Sequence, residues 1–250
     1  EDCIFLFFTN NLNIELFTGT LLTNVIIRRN IILDAYNIDP SHSQGVYLSQ
    51  VDGVLIEENT FDHNGWHATR AQAQRTIFNH NMYVQDNNGQ VVVRGNISSR
   101  GSSHGLQLRP GGTCDNNFFV RNAIAMFANG SYSEITNNVM TESDDVSPTE
   151  RRGWGIELKR IIAGSLHQGN ILVNRLSTNQ FAAVTMNDNT SNSPPAGGVR
   201  VLNNVIFNWK NAGNNKSIEI AAVNQVDVTL TGNVIDGMSQ SMTPVNFVDI

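Results

Sequence analysis

The sequence predicts an all-β protein folded as a right-handed parallel β-helix, a solenoid of about eight coils. Three observations predict this fold class. An apolar strand followed by an asparagine recurs along the chain, helical hydrophobic periodicity is nearly absent, and Gly, Asn and short β-branched runs dominate. We therefore expect residues 1–250 to form a single β-helix domain. Because the chain opens directly on a strand-like run, we also expect it to be part of a longer protein.

The recurring unit is an apolar run, a short polar stretch ending in Asn, and two more apolar or small residues. The asparagines of this repeat are Asn30, Asn59, Asn96, Asn117, Asn138, Asn170, Asn204 and Asn233. They are 29, 37, 21, 21, 32, 34 and 29 residues apart, which indicates a short coil with insertions in some turns. Asn tolerates left-handed backbone geometry at a tight bend, and stacked coils let such side chains bond one another in a ladder.

The composition limits the classes of partner. A chain of 250 residues with 40% hydrophobic content can bury one large core, and a net charge of −6 argues against general nucleic-acid binding. No apolar run reaches the roughly 18 residues of a membrane span. We expect a monomer that binds neither nucleic acid nor a membrane. The two cysteines, Cys3 and Cys114, leave the redox compartment open.

One strand of each coil aligns when the asparagines set the register. The aligned segments are GVYLS (45–49), NMYVQ (81–85), GLQLR (105–109), AIAMF (123–127), GIELK (155–159) and AVTMN (183–187). Because strand side chains alternate between faces, one set points inward and the other outward. The outward set forms two rows, Tyr47, Tyr83, Gln107, Ala125, Glu157, Thr185 and Ser49, Gln85, Arg109, Phe127, Lys159, Asn187.

These rows predict a groove across the outer face of the sheet. With rungs ~4.8 Å apart, Tyr83, Gln107 and Arg109 are expected to be neighbours. The insertions 62–79, 142–153 and 187–198 lie at the ends of these strands and are expected to wall the groove. A groove of this kind suits an extended polymer.

The outward side chains suit β-elimination in a uronic acid. That reaction needs a donor for the carboxylate, a base for the proton at C5 and an acid for the departing O4. Arg109 is the candidate donor, since a guanidinium matches a carboxylate bidentately. Tyr83, His80, His104 and Lys159 are the candidates for proton transfer, with Tyr83 acting as acid or, if cations lower its pKa, as base.

Other residues of this surface are predicted to bind the substrate. They are Gln85, Asp86, Gln107, Glu157, Tyr47, Asn187 and Trp154. No cofactor or metal is predicted. Calcium at the acidic segment 142–145 is an open alternative, but the segment lacks the spacing of a calcium loop.

Two stretches carry a resemblance to known families. The repeat resembles the pectate-lyase-like superfamily of parallel β-helices, and HNMYVQDNNGQ followed by SSHGLQLRPGG resembles the core motifs of alginate lyases and mannuronan C5-epimerases. Tyr83, Asp86, His104 and Arg109 match the Tyr, Asp, His and Arg of the epimerase motifs. Asn87 and Asn88 stand where that family has Pro and its catalytic His, which leaves proton transfer to Tyr83, His80 or His104.

We therefore predict a polysaccharide lyase that cleaves an acidic, uronic-acid-containing polymer, with an alginate-like chain preferred. The resemblance implies a secreted or periplasmic protein. The alternatives are a mannuronan-type C5-epimerase on the same scaffold and a non-catalytic glycan-binding or structural β-helix of the tailspike or adhesin kind. A hydrolase would need paired carboxylates, and the outward rows offer Glu157 alone.

Overall fold

Twenty-six short strands wind into three all-parallel sheets in the computed structural model. The structure describes residues 1–16, 19–39, 42–130, 132–161, 164–177, 181–188, 198–213, 215–221, 227–235 and 239–243. Of these, residues 160–161, 187–188, 221 and 239–243 are described by their backbone alone. Every third strand joins the same sheet, so each coil adds one rung to each sheet. The predicted parallel β-helix is confirmed: two of the sheets have nine strands each, and the third has eight. These residues contain no helix, and hence none long and apolar enough to cross a membrane.

The strands are short and follow one another in a fixed cycle. The first sheet consists of β1 (Ile4–Leu6), β4 (Ile31–Leu33), β7 (Thr60–Asp62), β10 (Ile97–Ser99), β13 (Phe118–Val120), β16 (Val139–Thr141), β19 (Ile171–Val173), β22 (Val205–Phe207) and β25 (Val234–Ile235). The second consists of β2 (Asn10–Glu15), β5 (Gln44–Ser49), β8 (His80–Val84), β11 (His104–Leu108), β14 (Ile124–Gly130), β17 (Trp154–Ile161), β20 (Val184–Asp188), β23 (Lys216–Ala221) and β26 (Ser239–Thr243). The third consists of β3 (Leu22–Arg28), β6 (Val51–Glu57), β9 (Val91–Arg94), β12 (Gly112–Asp115), β15 (Ser133–Thr136), β18 (Ser165–Gln168), β21 (Val199–Leu202) and β24 (Val228–Thr231).

The repeated asparagines form the predicted ladder, at the bend between the third sheet and the first. From Asn30 to Asn233, each side-chain amide donates to the Oδ1 of the next asparagine at 2.9–3.0 Å. The same Oδ1 accepts the backbone N–H of the preceding asparagine, as Asn59 Oδ1 does from Asn30. The ladder thereby satisfies backbone groups that the bend leaves unpaired.

The left-handed residue of this bend precedes the asparagine. We expected the asparagine itself to take that conformation, but the positive φ falls on residues such as Arg29 (54°), Glu58 (56°) and Gly95 (64°). Glycine takes this conformation without strain, whereas Arg29 and Glu58 take it at a cost. The asparagine is needed for its amide, which reaches along the stack of coils.

A second asparagine ladder runs beside the first strands of the second sheet. Asn11 donates to Asn64 at 3.2 Å, Asn64 to Asn81 at 2.9 Å, and Asn81 to Asn122 at 3.2 Å. All four residues are buried. They recur at irregular intervals and in different strands or turns, so the repeat in the sequence does not reveal them.

The second sheet follows the predicted alternation except in β14. Leu106 pairs with Met82 on one side and with Met126 on the other, where Ile124 had been predicted. The AIAMF segment is therefore shifted by two residues, which places Phe127 beside Gln107 and Asn129 beside Lys159. The predicted neighbours of Ala125 and Phe127 in the two rows were wrong, while the shift by two residues leaves both on the outward side of the alternation. Met126 and Ala128 are buried in the core, so the inward positions of β14 stay apolar in the shifted register.

His167, on β18, is fully buried. His167 lies between Ile135 and Val201 on the neighbouring rungs, and its Nε2 is 2.9 Å from Ser165 Oγ, while its Nδ1 has no partner within the described residues. Burial lowers the pKa of His167 to about 3. Between about pH 3 and pH 6.5, this imidazole is therefore neutral in the folded protein, whereas it would bind a proton in the unfolded chain.

Replacing His167 by leucine is expected to make the protein more resistant to acid. The folded-state pKa lies below the unfolded value of about 6.5, so the parent loses stability as the pH falls from about 6.5 toward 3. The maximal slope is about 1.4 kcal/mol per pH unit for one such group. Melting curves of parent and His167→Leu between pH 7.5 and 4.5 should diverge in favour of the variant as the pH falls. The exposed His42→Gln serves as control, and parallel curves for parent and His167→Leu would contradict the prediction.

Candidate active site

A cleft of about 360 Å³ opens over the outer face of the second sheet, above β8, β11, β14 and β17. It is lined by His42, Ile77, Phe78, His80, Tyr83, His104, Gln107, Arg109, Ile124, Phe127, Asn129, Arg152, Glu157 and Lys159. The loops 62–79 and 142–153 contribute to its walls through Ile77, Phe78 and Arg152. The third predicted wall, 187–198, lies almost entirely outside the described residues. The cleft occupies the face on which the sequence had placed the candidate site.

Arg109 joins two neighbouring rungs at the floor of the cleft. Its Nη1 donates to the hydroxyl of Tyr83 and to Oε1 of Gln85, both at 2.7 Å, and its guanidinium carbon lies 5.4 Å from the centre of the Tyr83 ring. The Nε–H of Arg109 is buried and has no partner among the described residues. Arg109 is thus held in place by Nη1, while its Nη2 has no partner among the described residues and remains for a ligand.

Tyr83 is suited to give a proton rather than to take one. Burial raises the pKa of its phenol, and the nearby Arg109 opposes this shift without reversing it. The alternative in which cations lower this pKa and make Tyr83 a base is therefore not supported. At neutral pH Tyr83 carries its proton, and Arg109 stabilises the negative oxygen that would form when the proton leaves.

His80 and His104 begin neighbouring strands and form a buried pair. The backbone N–H of His104 donates to Nδ1 of His80 at 3.3 Å, so this nitrogen is an acceptor and the proton of His80 lies on Nε2. The two Nδ1 atoms are 3.0 Å apart, and Ser103 Oγ lies 3.1 Å from Nδ1 of His104. Since Nδ1 of His80 is an acceptor, Nδ1 of His104 is assigned as the donor. The lone pair of His104 is then on Nε2, on the side of Glu157, whose Oε2 is 4.0 Å away.

Both histidines are neutral at physiological pH. Burial lowers the pKa of His80 to about 3, with smaller contributions from His42 and Arg109. Burial also holds the pKa of His104 well below 6.5, and His80 and nearby cations act in the same direction. Glu157, at 4.0 Å, does not reverse this shift. His104 is therefore an unprotonated base facing the cleft.

The cleft is cationic although the chain as a whole is acidic. Arg109, Arg152 and Lys159 line it together with one carboxylate, Glu157, in a chain of net charge −6. Lys159 Nζ lies 3.3 Å from Glu157 Oε1. Arg152 stacks on Trp154 at 5.4 Å, and its buried Nε has no partner in the described structure. This excess of positive charge favours an anionic ligand.

Several predicted site residues do not line the cleft. Gln85 lies outside the cleft and accepts a hydrogen bond from Arg109. Tyr47 packs on Tyr83, with 5.3 Å between ring centres. Trp154 is buried against Phe181. Asp86 is exposed beyond Gln85. Asn187 belongs to β20, but its side chain lies outside the described part of the structure.

Two lining residues were missed by the sequence analysis although their positions held a signal. His42 lies just before the aligned segment 45–49, as His80 and His104 lie at the start of theirs. Arg152 lies at the end of an insertion that was itself predicted to wall the groove.

Arg75 connects the two loops that wall the cleft. Its guanidinium donates to the carbonyl oxygens of Ser102, Asp145 and Gly101 at 2.8–3.1 Å. Asp145 Oδ1 in turn accepts the backbone N–H of Arg152 at 3.0 Å. Arg75 therefore links the loop that carries Phe78 to the loop that carries Arg152.

Arg75→Met is expected to loosen both walls. Three carbonyl oxygens lose a charged donor, so we expect a loss of about 3 kcal/mol of folding free energy. On any substrate of the cleft, KM should rise more than kcat falls, because the variant disturbs the walls and leaves the groups of the floor in place. Arg70→Met, on the exposed part of the same loop, is the matched control. Equal behaviour of the two variants in thermal melting would refute the role of Arg75.

Among the described residues, no group of three or more His, Cys, Asp or Glu side chains is arranged to hold a metal ion. His63, in the loop 62–79, pairs with Asp34, with 2.6 Å between Nδ1 and Oδ1.

No protein-family model matches the chain, and no curated protein or solved structure matches it significantly. The resemblance to alginate-active β-helices therefore remains an interpretation of the stretch 80–112. Because a fold does not imply a function, the function has to be inferred from the groups that line the cleft.

Proposed function

We propose that the protein is a polysaccharide lyase that cleaves a uronic-acid-containing polymer by β-elimination in this cleft. One observation carries the proposal. A fixed guanidinium, a protonated phenol and an unprotonated imidazole, those of Arg109, Tyr83 and His104, lie around one cation-lined cleft. These are the three groups that the reaction needs.

Each residue has one role in the proposed step. Arg109 binds the carboxylate of the uronate and stabilises the charge that develops there as the proton at C5 leaves. His104 Nε2 takes that proton, the electron pair forms the C4–C5 double bond, and the C4–O4 bond breaks. Tyr83 gives its proton to the departing O4. The new chain end is an unsaturated uronate, and the enzyme returns to its starting state when the proton on His104 is lost and Tyr83 is reprotonated from solvent.

The cleft favours elimination over hydrolysis. A glycoside hydrolase uses two carboxyl groups on either side of the scissile bond. Glu157 is the one carboxylate among the described lining residues, and it is paired with Lys159. One carboxylate does not supply the pair that hydrolysis needs.

The proposal includes the expected biology of such an enzyme. The partner is an acidic polysaccharide, the protein acts as a monomer, and it is secreted or periplasmic. The resemblance in the stretch 80–112 makes alginate the first polymer to test.

The test is a panel of alginate, pectate and glycosaminoglycans, followed by the ultraviolet absorbance of the unsaturated product. The same incubations in deuterated water report exchange at C5, and calorimetry reports binding. Unsaturated product from a uronate polymer supports the lyase. Deuterium at C5 without chain cleavage would indicate an epimerase instead, and binding without either signal would indicate a glycan-binding protein.

A further inference from the structure

A second pocket lies beside the main cleft. Its volume is about 370 Å³, nearly the same as that of the cleft, and it lies between Asn37, Asp39 and His42 on one side and the loop 72–79 on the other. His42 and Phe78 line both spaces, and their rings stack with 5.8 Å between centroids and an interplanar angle of 18°. The stacked pair is therefore the boundary between two adjoining binding spaces.

The second pocket differs from the cleft in charge. No lysine or arginine is among its described lining residues, and Asp39 adds an exposed carboxylate. A uronate bound here would meet that carboxylate with no cation at hand to offset the repulsion.

The remaining lining residues are suited to hydroxyl groups. Gln72, Gln74, Thr76 and Asn79 supply amides and a hydroxyl, which both donate and accept hydrogen bonds. The amide of Gln72 has no hydrogen-bond partner within the described residues, and that of Gln74 donates to the carbonyl oxygen of Arg70 at 2.8 Å. The amide of Asn79 is bonded at both ends, to the carbonyl oxygen of Gly65 and the backbone N–H of Ser43, and Thr76 Oγ1 accepts the N–H of Phe78. The pocket therefore combines one unbonded amide, that of Gln72, and a polar neutral lining with one negative charge.

Phe78 supplies an apolar surface at the boundary. It is 59% exposed, and it lines both spaces. A sugar ring has an apolar face of C–H groups that an aromatic ring can cover, so a chain passing from one space to the other would stack on Phe78.

We propose that this pocket is a second sugar subsite, which takes an uncharged sugar next to the uronate in the main cleft. The inference rests on the proposed lyase function and narrows its substrate. The preferred polymer alternates uronates with uncharged sugars, in contrast to alginate, a chain of uronates alone.

The experiment compares hyaluronan, in which glucuronate alternates with uncharged N-acetylglucosamine, with polymannuronate. Turnover is measured by the ultraviolet absorbance of the product, and binding of the two tetrasaccharides is measured by calorimetry. We expect the parent to bind the alternating tetrasaccharide about tenfold more tightly, which corresponds to about 1.4 kcal/mol. Phe78→Ala should remove most of this preference, and Asp39→Lys should shift it toward polymannuronate. Glu134→Lys, an exposed charge reversal on the third sheet, is the matched control.

The outcomes separate this inference from the lyase function. Turnover of both polymers with equal affinity, unchanged in Phe78→Ala and Asp39→Lys, would overturn the second subsite and leave the lyase standing. Tight, Phe78-dependent binding of the alternating tetrasaccharide without unsaturated product would refute the lyase and support the subsite. A preference for polymannuronate that Asp39→Lys does not increase would also overturn the subsite.

Discussion

Arg109→Ala is expected to lower kcat on a uronate polymer by on the order of 100-fold or more, with a smaller rise in KM. The guanidinium contacts the carboxylate most strongly when charge develops on it, so its loss affects the transition state more than the bound substrate. Tyr83 also loses the cation that stabilises its oxygen when the proton leaves. The folding free energy should fall by about 1 kcal/mol, since two hydrogen bonds to Tyr83 and Gln85 are lost at a half-buried position.

Arg109→Lys separates charge from geometry. An ammonium group keeps the positive charge but cannot hold Tyr83, Gln85 and a ligand carboxylate in one plane, so the variant should recover little of the lost turnover. Arg121→Ala removes an exposed arginine that donates to Glu142 in the bend between β13 and β14; Arg121 does not line the cleft, so this variant controls for the loss of a cation. Turnover of Arg109→Ala near that of the parent would show that Arg109 is a surface charge. A collapse in melting temperature would show that its role is structural.

Asn138→Ala is expected to cause the largest loss of stability, about 3–4 kcal/mol. The side chain donates to Asn170 Oδ1 at 3.0 Å and to the carbonyl oxygen of Cys114 at 2.9 Å, and it accepts the backbone N–H of Asn117 at 2.9 Å. All of these groups are buried. Alanine leaves the N–H of Asn117 without its partner, far from water, and that loss costs more than an exposed hydrogen bond would.

The neighbouring residue supplies the control for this prediction. Asn137 is exposed and left-handed (φ 55°), so Asn137→Gly removes an amide of the same kind from the same bend without straining the backbone. Urea unfolding of both variants should give a large drop for Asn138→Ala and a change within about 1 kcal/mol for Asn137→Gly. Equal losses in the two variants would show that the ladder is not the source of stability at this bend.

The sequence by itself predicts the coil and the stack. The spacing of Asn30, Asn59, Asn96 and the later asparagines defines the repeat, because each coil has to pass the same bend and its polar backbone has to be satisfied there. The alternation of apolar residues, as in Met82 with Val84 and Leu106 with Leu108, defines which side chains enter the core. From these two patterns follow the parallel β-helix, the outward row that joins Tyr83 to Gln107, and the face that carries the cleft.

Only the tertiary structure decides how neighbouring coils meet. The shift of two residues in β14 leaves the alternation of inward and outward residues intact, so the sequence pattern alone cannot detect it. In the folded protein, Met126 pairs with Leu106, and Met126 and Ala128 fill the core. The direction of the pKa shifts of Tyr83, His80 and His104 depends on burial, and burial is a property of the packed rungs and of the loops above them. Arg75 and Arg152 act at the cleft across long separations in the chain, since hydrogen bonds such as that of Arg75 to Asp145 form only after the loops have folded over the sheet.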